Sequence, residues 1–173
     1  MNDDWEKRVE TAWASLDTYG EDGAAEFRAL VDGLAAELPD GDPVGAFERA
    51  CAWDSTGRSD RAVPLYREAL AGGLDGYRRR RTLIQLASSL RNTGRAEEGV
   101  ALLTPELDAP SDELDDAVRA CLALCLASLG REREGLALVL GALAPHLPRY
   151  QRSMGNYARL LVEPEPDQVS GRS

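Results

Sequence analysis

The sequence predicts an all-α fold, a solenoid of antiparallel helical hairpins, and three observations support this prediction. Four glycines, Gly20, Gly57, Gly94 and Gly130, recur at intervals of 37, 37 and 36 residues. A small residue follows each glycine five positions later, and a leucine follows each of the last three glycines thirteen positions later. Apolar residues at helical spacing lie before and after each glycine. Each unit is therefore expected to be a helix, a tight turn and a second helix.

The repeat predicts a single helical domain over residues 1–162. Ala50, Ala87 and Ala123 lie seven residues before their glycines, where two helices must approach closely, whereas Trp13 takes this place in the first unit. The first unit is therefore interpreted as degenerate. We expect an opening hairpin over 4–38, three full hairpins over 43–75, 79–110 and 114–146, a capping helix over 149–162, and a disordered tail over 163–173.

The last predicted helix carries an apolar stripe at spacings of four, three and four residues, formed by Tyr150, Met154, Tyr157 and Leu161. The stripe is expected to cover the open face of the third hairpin, because solenoid units bury their faces only against neighbours. In the alternative interpretation the stripe is exposed and forms a homodimer interface, since exposed aromatic patches usually mark contacts.

The composition excludes several classes of partner. The 173 residues carry 30 acidic and 20 basic side chains, a net charge of -10, which repels phosphate backbones and anionic membrane surfaces. We therefore expect neither nucleic acid nor a membrane as partner. The sequence has no apolar stretch typical of a signal peptide or a membrane span, which predicts a cytoplasmic protein.

The order of small, aromatic and glycine residues carries a family resemblance. Ala50, Trp53, Gly57, Ala62, Tyr66 and Ala69 resemble a tetratricopeptide repeat. Residues 43–143, with VPLYREAL and TLIQLASSLRNTGR, are similar to the bacterial proteins grouped as tetratrico peptide repeat group 5. The resemblance implies a right-handed α-solenoid that serves as a protein-interaction module, and members that act as dimers. Gly99 and Glu106 replace the usual alanines, and Leu103 the usual aromatic.

The residues that could carry chemistry all have a structural interpretation. His146 lies between Pro145 and Pro148, in a segment expected to leave the helix. Cys121 and Cys125 lie one helical turn apart and could supply two metal ligands, but the sequence offers no second pair to complete a tetrahedral site. The odd number of cysteines is typical of free buried thiols. We expect no catalytic residue, no metal and no cofactor, and an enzyme or small-molecule binder is the third alternative.

The candidate partner surface lies on the first helices of the hairpins, which line the inner face of a solenoid. It is predicted as a groove with a basic, hydrogen-bonding centre and apolar flanks. Its predicted residues are Phe47, Asp54, Arg81, Ile84, Gln85, Ser88, Arg91, Asn92 and Leu124, together with Cys51, Ala117 and Cys121.

Four consecutive arginines, Arg78 to Arg81, stand near the start of a predicted helix, where the helix dipole opposes positive charge by about 0.3 to 1 kcal/mol per exposed residue. In one interpretation they cover a solvated face or pair with acidic residues of a neighbouring hairpin. In the other, Arg81 and Arg91 bind a partner peptide through its carboxylates, because guanidinium groups bind carboxylates in bidentate fashion. The predicted partner is a protein or peptide, with an acidic peptide as the sharper hypothesis.

Overall fold

The structure is a computed structural model that describes residues 3–20 and 22–163. The predicted all-α class is confirmed, because the described residues form helices and turns and no strand. Two short 3-10 turns, Pro105–Leu107 and Ala144–His146, follow the seventh and ninth helices. The α-helices are α1 (Asp3–Ala14), α2 (Leu16–Tyr19), α3 (Ala24–Ala35), α4 (Pro43–Ser55), α5 (Ser59–Ala71), α6 (Gly76–Asn92), α7 (Ala96–Leu103), α8 (Asp115–Ala127), α9 (Glu132–Leu143) and α10 (Gln151–Leu160).

The helices pack in pairs, and each pair packs on the next. The helix α4 packs against α5, α6 against α7 and α8 against α9, while α4 also contacts α6 and α6 contacts α8. The start of α4 shows the local reason for a helix beginning there. Asp42 accepts a hydrogen bond from the Val44 amide at 2.8 Å, and Pro43 occupies the first helical position, where no amide donor is needed.

The recurring glycines end helices, as the sequence predicts. Gly57, Gly94 and Gly130 have φ of 77°, 78° and 72°, a left-handed conformation that favours glycine. In each turn the amide of the following arginine donates to a carbonyl five residues earlier; the bond from Arg95 to Leu90, at 2.8 Å, is one example. The identical turn therefore sets the angle at which each second helix returns.

Two further glycines, Gly99 and Gly135, allow paired helices to approach closely. A Cβ atom on Gly99 would lie 2.8 Å from Cys125 Sγ and 3.1 Å from the Ala87 carbonyl oxygen. A Cβ on Gly135 would lie 2.9 Å from the Ala123 carbonyl oxygen. The glycine that replaces the usual alanine at position 99 thus has a packing reason.

The hydrophobic core is continuous from α1 to α8. One cluster of buried residues joins α1, α3, α4, α5 and α6, and a second joins α6, α7 and α8. The N-terminal end is filled by aromatic rings: Trp13 and Tyr19 pack edge-on against the buried Phe27, with centroids at 5.1 and 5.5 Å. The Trp5 indole N–H donates to the Leu34 carbonyl at 2.8 Å and ties α1 to α3.

The last helix packs on the third hairpin through one of its two helices. The helix α10 contacts α9 and the 3-10 turn Ala144–His146. Its buried residue is Ala158, while Met154 and Leu161 of the predicted stripe are half-buried and Tyr150 and Tyr157 are exposed. The predicted disordered tail lies outside the described residues, apart from position 163.

Candidate functional site

The first two arginines of the run are held by carboxylates of other helices. The Arg78 Nη2 donates to Glu6 Oε2 at 2.5 Å, which ties the start of α6 to α1. The Arg79 Nη1 donates to Glu106 Oε1 at 3.1 Å. Arg78 therefore pairs with an acidic residue of another hairpin, as one interpretation of the run expects, whereas Glu106 belongs to the same hairpin as Arg79.

Arg80 is buried at the centre of an ion-pair cluster between α6 and α8. Only 6 % of the residue is exposed, and it contacts the carboxylates of Glu106, Asp112 and Asp115, with Asp115 Oδ1 at 2.8 Å. Hydrogen bonds from Ser111 and Arg80 lower the pKa of Asp115 from its usual 3.8 to about 2. The cluster joins two hairpins, and its carboxylates neutralise the charge of Arg80.

Arg81 differs from the other three arginines. Its guanidinium lies over the Phe47 ring at 5.2 Å and over the Tyr77 ring at 5.9 Å. Among the described residues, no carboxylate forms an ion pair with it, whereas Arg78, Arg79 and Arg80 all have one. Arg81 is therefore the member of the run whose charge stays available to a partner.

The Arg81 side chain lines a surface cavity of about 720 Å³. The cavity lies between α1, the start of α4, the connection from α5 to α6 and the start of α6. Carboxylates outnumber guanidinium groups in its wall, and two aromatic side chains are present. The lining residues that matter here are Glu6, Glu10, Trp13, Glu48, Asp75, Tyr77, Arg78 and Arg81.

Glu48 is a buried carboxylate in the wall of this cavity. Its Oε2 accepts a hydrogen bond from the Trp13 indole N–H at 2.8 Å, and the Arg78 Nε lies 4.0 Å from its Oε1. Burial raises the pKa of Glu48, and the contacts with Trp13 and Arg78 oppose this rise only in part. The Glu48 carboxylate, which lies in the same cavity wall as Arg81, is thus protonated at a higher pH than an exposed glutamate.

Sequence reasoning missed most of this cavity. Glu6, Glu10 and Glu48 have no pattern that distinguishes them from solvated glutamates, since their position depends on the packing of α1 against later helices. Trp13 did stand out, because it occupies the place of a small residue in the other units. The sequence alone indicates only that the first hairpin is degenerate, whereas in the structure the Trp13 indole N–H donates to Glu48.

Four predicted groove residues serve the interior, which corrects the prediction; besides Phe47 and Asp54 they include the buried Cys51 and Cys121. Phe47 is fully buried in the core, so its ring is not available to a partner. Asp54 is half-buried and accepts hydrogen bonds from Ser59 Oγ at 3.0 Å, Ser89 Oγ at 2.7 Å and the Tyr66 hydroxyl at 3.3 Å. These bonds join α4 to α5 and α6, because a half-buried carboxylate needs internal donors.

The predicted residues of α6 are half-buried, apart from the exposed Asn92; they are Arg81, Ile84, Gln85, Ser88 and Arg91. The Arg91 Nη2 donates to Asn92 Oδ1 at 2.9 Å, whereas its buried Nε has no hydrogen-bond partner among the described residues. Gln85 Oε1 lies 3.4 Å from Cys51 Sγ and is partly occupied. Because the Arg91 Nε is buried, a partner at the surface does not reach it.

Leu124 lies at the other end of the predicted groove. It is 52 % exposed, and Ala117 and Ala120 of the same helix are exposed as well. The apolar flank predicted on α8 is therefore present at the surface.

The three cysteines are free and buried. Burial raises the pKa of the Cys51 thiol to about 12, and the hydrogen bond with Cys125 together with burial raises the pKa of Cys121. The Cys121 Sγ donates to the Ile84 carbonyl at 3.3 Å. In the part of the chain that the structure describes, no three histidine, cysteine or acidic side chains are placed to hold a metal ion.

His146 lies on the surface and pairs with one acidic side chain. Its Nε2 is 2.9 Å from Asp116 Oδ2, and this hydrogen bond lowers the pKa of Asp116. The contact fixes the 3-10 turn after α9 to the start of α8.

Comparison with known proteins agrees with this helical architecture. A family model described as a tetratrico peptide repeat matches residues 43–161, which is more than half of the chain. The chain therefore belongs to the tetratrico peptide repeat family, and the resemblance noted in the sequence is confirmed. The family is one of protein-interaction modules and is generally non-catalytic. No curated protein and no solved structure matches the chain.

None of the described helices combines the length and the apolar character that a membrane crossing demands.

Proposed function

We propose that the protein binds a segment of another protein in a groove along α4, α6 and α8, the inner helices of a right-handed solenoid of three full hairpins. Arg81 is the cationic anchor of this groove. The proposal is supported by family membership and by one observation above others: Arg81 lines a cavity while the neighbouring arginines are neutralised by carboxylates.

The basic centre of the groove consists of Arg81 and Arg91. Both side chains are half-buried, so part of their hydration is already removed before a partner arrives. A guanidinium in such a position forms charge-assisted hydrogen bonds with a carboxylate, and these are stronger than bonds between neutral groups. Ser88, Gln85 and Asn92 add hydrogen-bonding groups between the two arginines, and Leu124 with Ile84 adds apolar surface.

The cavity refines the chemistry of the partner. Glu10, Glu48 and Asp75 surround Arg81, so a run of acidic residues meets repulsion there. A segment that presents one carboxylate to Arg81, with a basic or aromatic residue beside it facing Glu10, Trp13 and Tyr77, satisfies both signs of charge. The preferred partner is therefore a peptide of mixed charge.

A homodimer formed through α10 is the second candidate. It is supported by the exposure of Tyr150 and Tyr157, whereas the half-buried Met154 and Leu161 contribute little free surface.

The net charge of -10 supports a partner other than nucleic acid or an anionic membrane, and three free thiols support a cytoplasmic location.

The test begins with proteins captured by the wild-type chain from a lysate of the native source and continues with peptides from the captured protein. Binding of each peptide is measured for wild type, Arg81→Gln, Arg91→Gln and the control Arg79→Gln, whose side chain is paired with Glu106 outside the cavity. Circular dichroism verifies that each variant is folded.

We expect Arg81→Gln to raise Kd by about tenfold or more, since a hydrogen bond to a charged group contributes about 1.5 to 3 kcal/mol. Arg91→Gln is expected to weaken binding as well, and Arg79→Gln to leave Kd within about twofold. Equal affinities of wild type and Arg81→Gln for every bound peptide would refute the proposed anchor.

A further inference from the structure

The cavity that Arg81 lines carries an excess of negative charge. Its wall holds four carboxylates and two guanidinium groups. The carboxylates belong to Glu6, Glu10, Glu48 and Asp75, and the guanidinium groups belong to Arg78 and Arg81. Since Arg78 donates to Glu6 at 2.5 Å, these two charges neutralise each other. Three carboxylates then share the cavity with the guanidinium of Arg81, so the wall attracts a further positive charge.

Two of these three carboxylates have no cation or donor of their own. Glu10 and Asp75 are exposed, and neither side chain forms a hydrogen bond or an ion pair with any described residue. They come from different parts of the chain, since Glu10 belongs to α1 and Asp75 directly precedes α6. The fold therefore brings unpaired carboxylates from two elements to the same cavity.

The third carboxylate, that of Glu48, is buried and lacks one hydrogen-bond donor. Only 4 % of the residue is exposed, and its Oε2 accepts a hydrogen bond from the Trp13 indole N–H. Its Oε1 accepts none from the described residues, because the nearest guanidinium nitrogen, Arg78 Nε, is 4.0 Å away. Buried polar atoms are nearly always hydrogen-bonded, so Oε1 is an acceptor that the protein leaves free for a ligand.

The rest of the wall selects an organic cation. In the described parts of the chain, the carboxylates are not grouped closely enough to hold a metal ion. Apolar and aromatic side chains complete much of the wall; these are Val9, Trp13, Val44, Leu74 and Tyr77. An aliphatic stem packs on such a wall, and a planar cation stacks on the aromatic rings. An apolar stem with a planar cationic head is the arginine side chain.

We propose that the cavity receives an arginine side chain of the bound segment, with its guanidinium donating to Glu48 Oε1 and its charge balanced by Glu10 and Asp75. This inference rests on the proposed function, since the same segment presents a carboxylate to Arg81. Glu48 is then a specificity-determining residue, because it requires an arginine beside the carboxylate that Arg81 binds. A guanidinium suits this position, since it presents several donors in one plane and is always charged.

The test is a nuclear magnetic resonance titration of the full chain, followed at the indole N–H signals of its three tryptophans. The probe is Nα-acetyl-L-arginine amide, which has a guanidinium and no carboxylate, and so binds at Glu48 without a contribution from Arg81. Trp13 reports on the cavity, because its indole N–H donates to Glu48. Trp5 and Trp53 do not line the cavity and serve as internal references.

Wild type is expected to show a saturable shift of the Trp13 signal, with a Kd in the millimolar range, and no comparable shift of the references. Nα-acetyl-L-citrulline amide has nearly the same shape and no charge. It should bind at least about tenfold more weakly, because hydrogen bonds between charged groups are the stronger ones. Free L-arginine is the third probe. If it binds about tenfold more tightly than the capped probe, the cavity takes a free amino acid and the side-chain assignment is overturned.

The variant Glu48→Gln removes the charge and keeps an oxygen that accepts from Trp13. Its Kd for the arginine probe is expected to rise by about tenfold or more. The matched control Glu97→Gln makes the same change at an exposed residue of α7 outside the cavity, and should keep Kd within about twofold. If circular dichroism shows that Glu48→Gln is unfolded, Glu10→Gln with Asp75→Asn replaces it. Both residues are exposed, and this double variant should also weaken binding of the probe.

The variant Arg81→Gln separates this inference from the proposed function. It removes a positive charge from the cavity, so it should bind the arginine probe at least as tightly as wild type while it loses partner peptides. Normal binding of the probe together with partner peptides that do not depend on Arg81 would refute the anchor alone. A Trp13 signal that stays unchanged up to tens of millimolar probe, equal binding of the citrulline probe, or an unchanged Kd in Glu48→Gln would overturn the arginine pocket and leave the Arg81 anchor standing.

Discussion

The two ends of the helical stack are built in opposite ways. At the N-terminal end, Phe27 is fully buried between Trp13 and Tyr19, and Trp5 is fixed by a hydrogen bond to α3. At the C-terminal end, α9 has one buried residue, Gly135, and exposes a row of leucine and valine side chains. A repeat buries its faces only against neighbours, and here aromatic side chains fill one end while apolar side chains of α9 stay exposed at the other.

The packing of the N-terminal end explains why the first unit departs from the repeat. Trp13 occupies the place of a small residue, and a large ring there prevents the close helix approach seen at Ala50 and Ala87. The same ring packs against Phe27 of α3, and its indole N–H donates to Glu48 of α4. The residue that breaks the small-residue pattern therefore ties the first hairpin to the second.

The largest expected effect compares truncations at the two ends. Phe27→Ala should lower the free energy of unfolding by about 3 to 5 kcal/mol, because it leaves a cavity among buried rings. Leu136→Ala should lower it by less than about 0.5 kcal/mol, because the side chain is half exposed. Urea unfolding followed by circular dichroism measures both. Similar losses for the two variants would mean that the ends are equally packed.

The second effect concerns the ion-pair cluster that joins the middle of the stack to α8. Arg80→Ala should cost about 3 kcal/mol, since it removes a buried guanidinium that pairs with Asp112 and Asp115 and lies 3.5 Å from the buried carboxylate of Glu106. The neighbouring Arg79→Ala removes a half-exposed side chain and should cost less than about 1 kcal/mol. Urea unfolding at neutral pH measures the free energy of unfolding of both variants. A loss as small for Arg80→Ala as for Arg79→Ala would contradict the buried cluster.

The third comparison is between a closely packed glycine, Gly99, and a loosely packed glycine, Gly141. Gly99→Ala should destabilise the protein by about 1 to 3 kcal/mol, because the new Cβ would meet Cys125 Sγ and the Ala87 carbonyl. Gly141→Ala in α9 adds a methyl group where no atom lies within 4 Å. It should stabilise the helix by up to about 1 kcal/mol. The melting temperature should fall for Gly99→Ala and rise for Gly141→Ala. A fall for both variants would show that α9 is closely packed at Gly141 as well.

The smallest effect is a pH dependence of the Asp115 contact. The folded-state pKa of about 2 lies below the usual 3.8, so the contribution of this carboxylate to stability is present above pH 3.8 and is lost as pH falls toward 2. Asp115→Asn should lack this part of the acid-induced loss of stability. Urea midpoints measured from pH 5 to pH 2 should fall less steeply for the variant, and parallel curves would exclude the contribution.

The sequence predicts local features of this fold well. The glycine intervals give the positions of the left-handed turns at Gly57, Gly94 and Gly130, because the conformation depends on the residue itself. The family is also evident from residues within single units. Phe47 shows the limit of this reasoning, since its place on an inner helix did not reveal that it is buried.

Contacts between distant parts of the chain are not predictable in the same way. The bond from Arg78 to Glu6 joins residues 72 apart, and nothing local in either segment marks the partner. The position of α10 is not predictable for the same reason. Its sequence is amphipathic, with the stripe of Tyr150, Met154, Tyr157 and Leu161. The side of α9 that α10 covers depends on the shape of the cleft beside α7. Such features follow from packing between units and not from the pattern within one.

The contrast between the two ends is tested most directly by amide hydrogen exchange of the full chain. A filled N-terminal end and an exposed C-terminal end predict stronger protection of α3 around Phe27 than of α9. Equal protection of α3 and α9, or stronger protection of α9, would contradict the account.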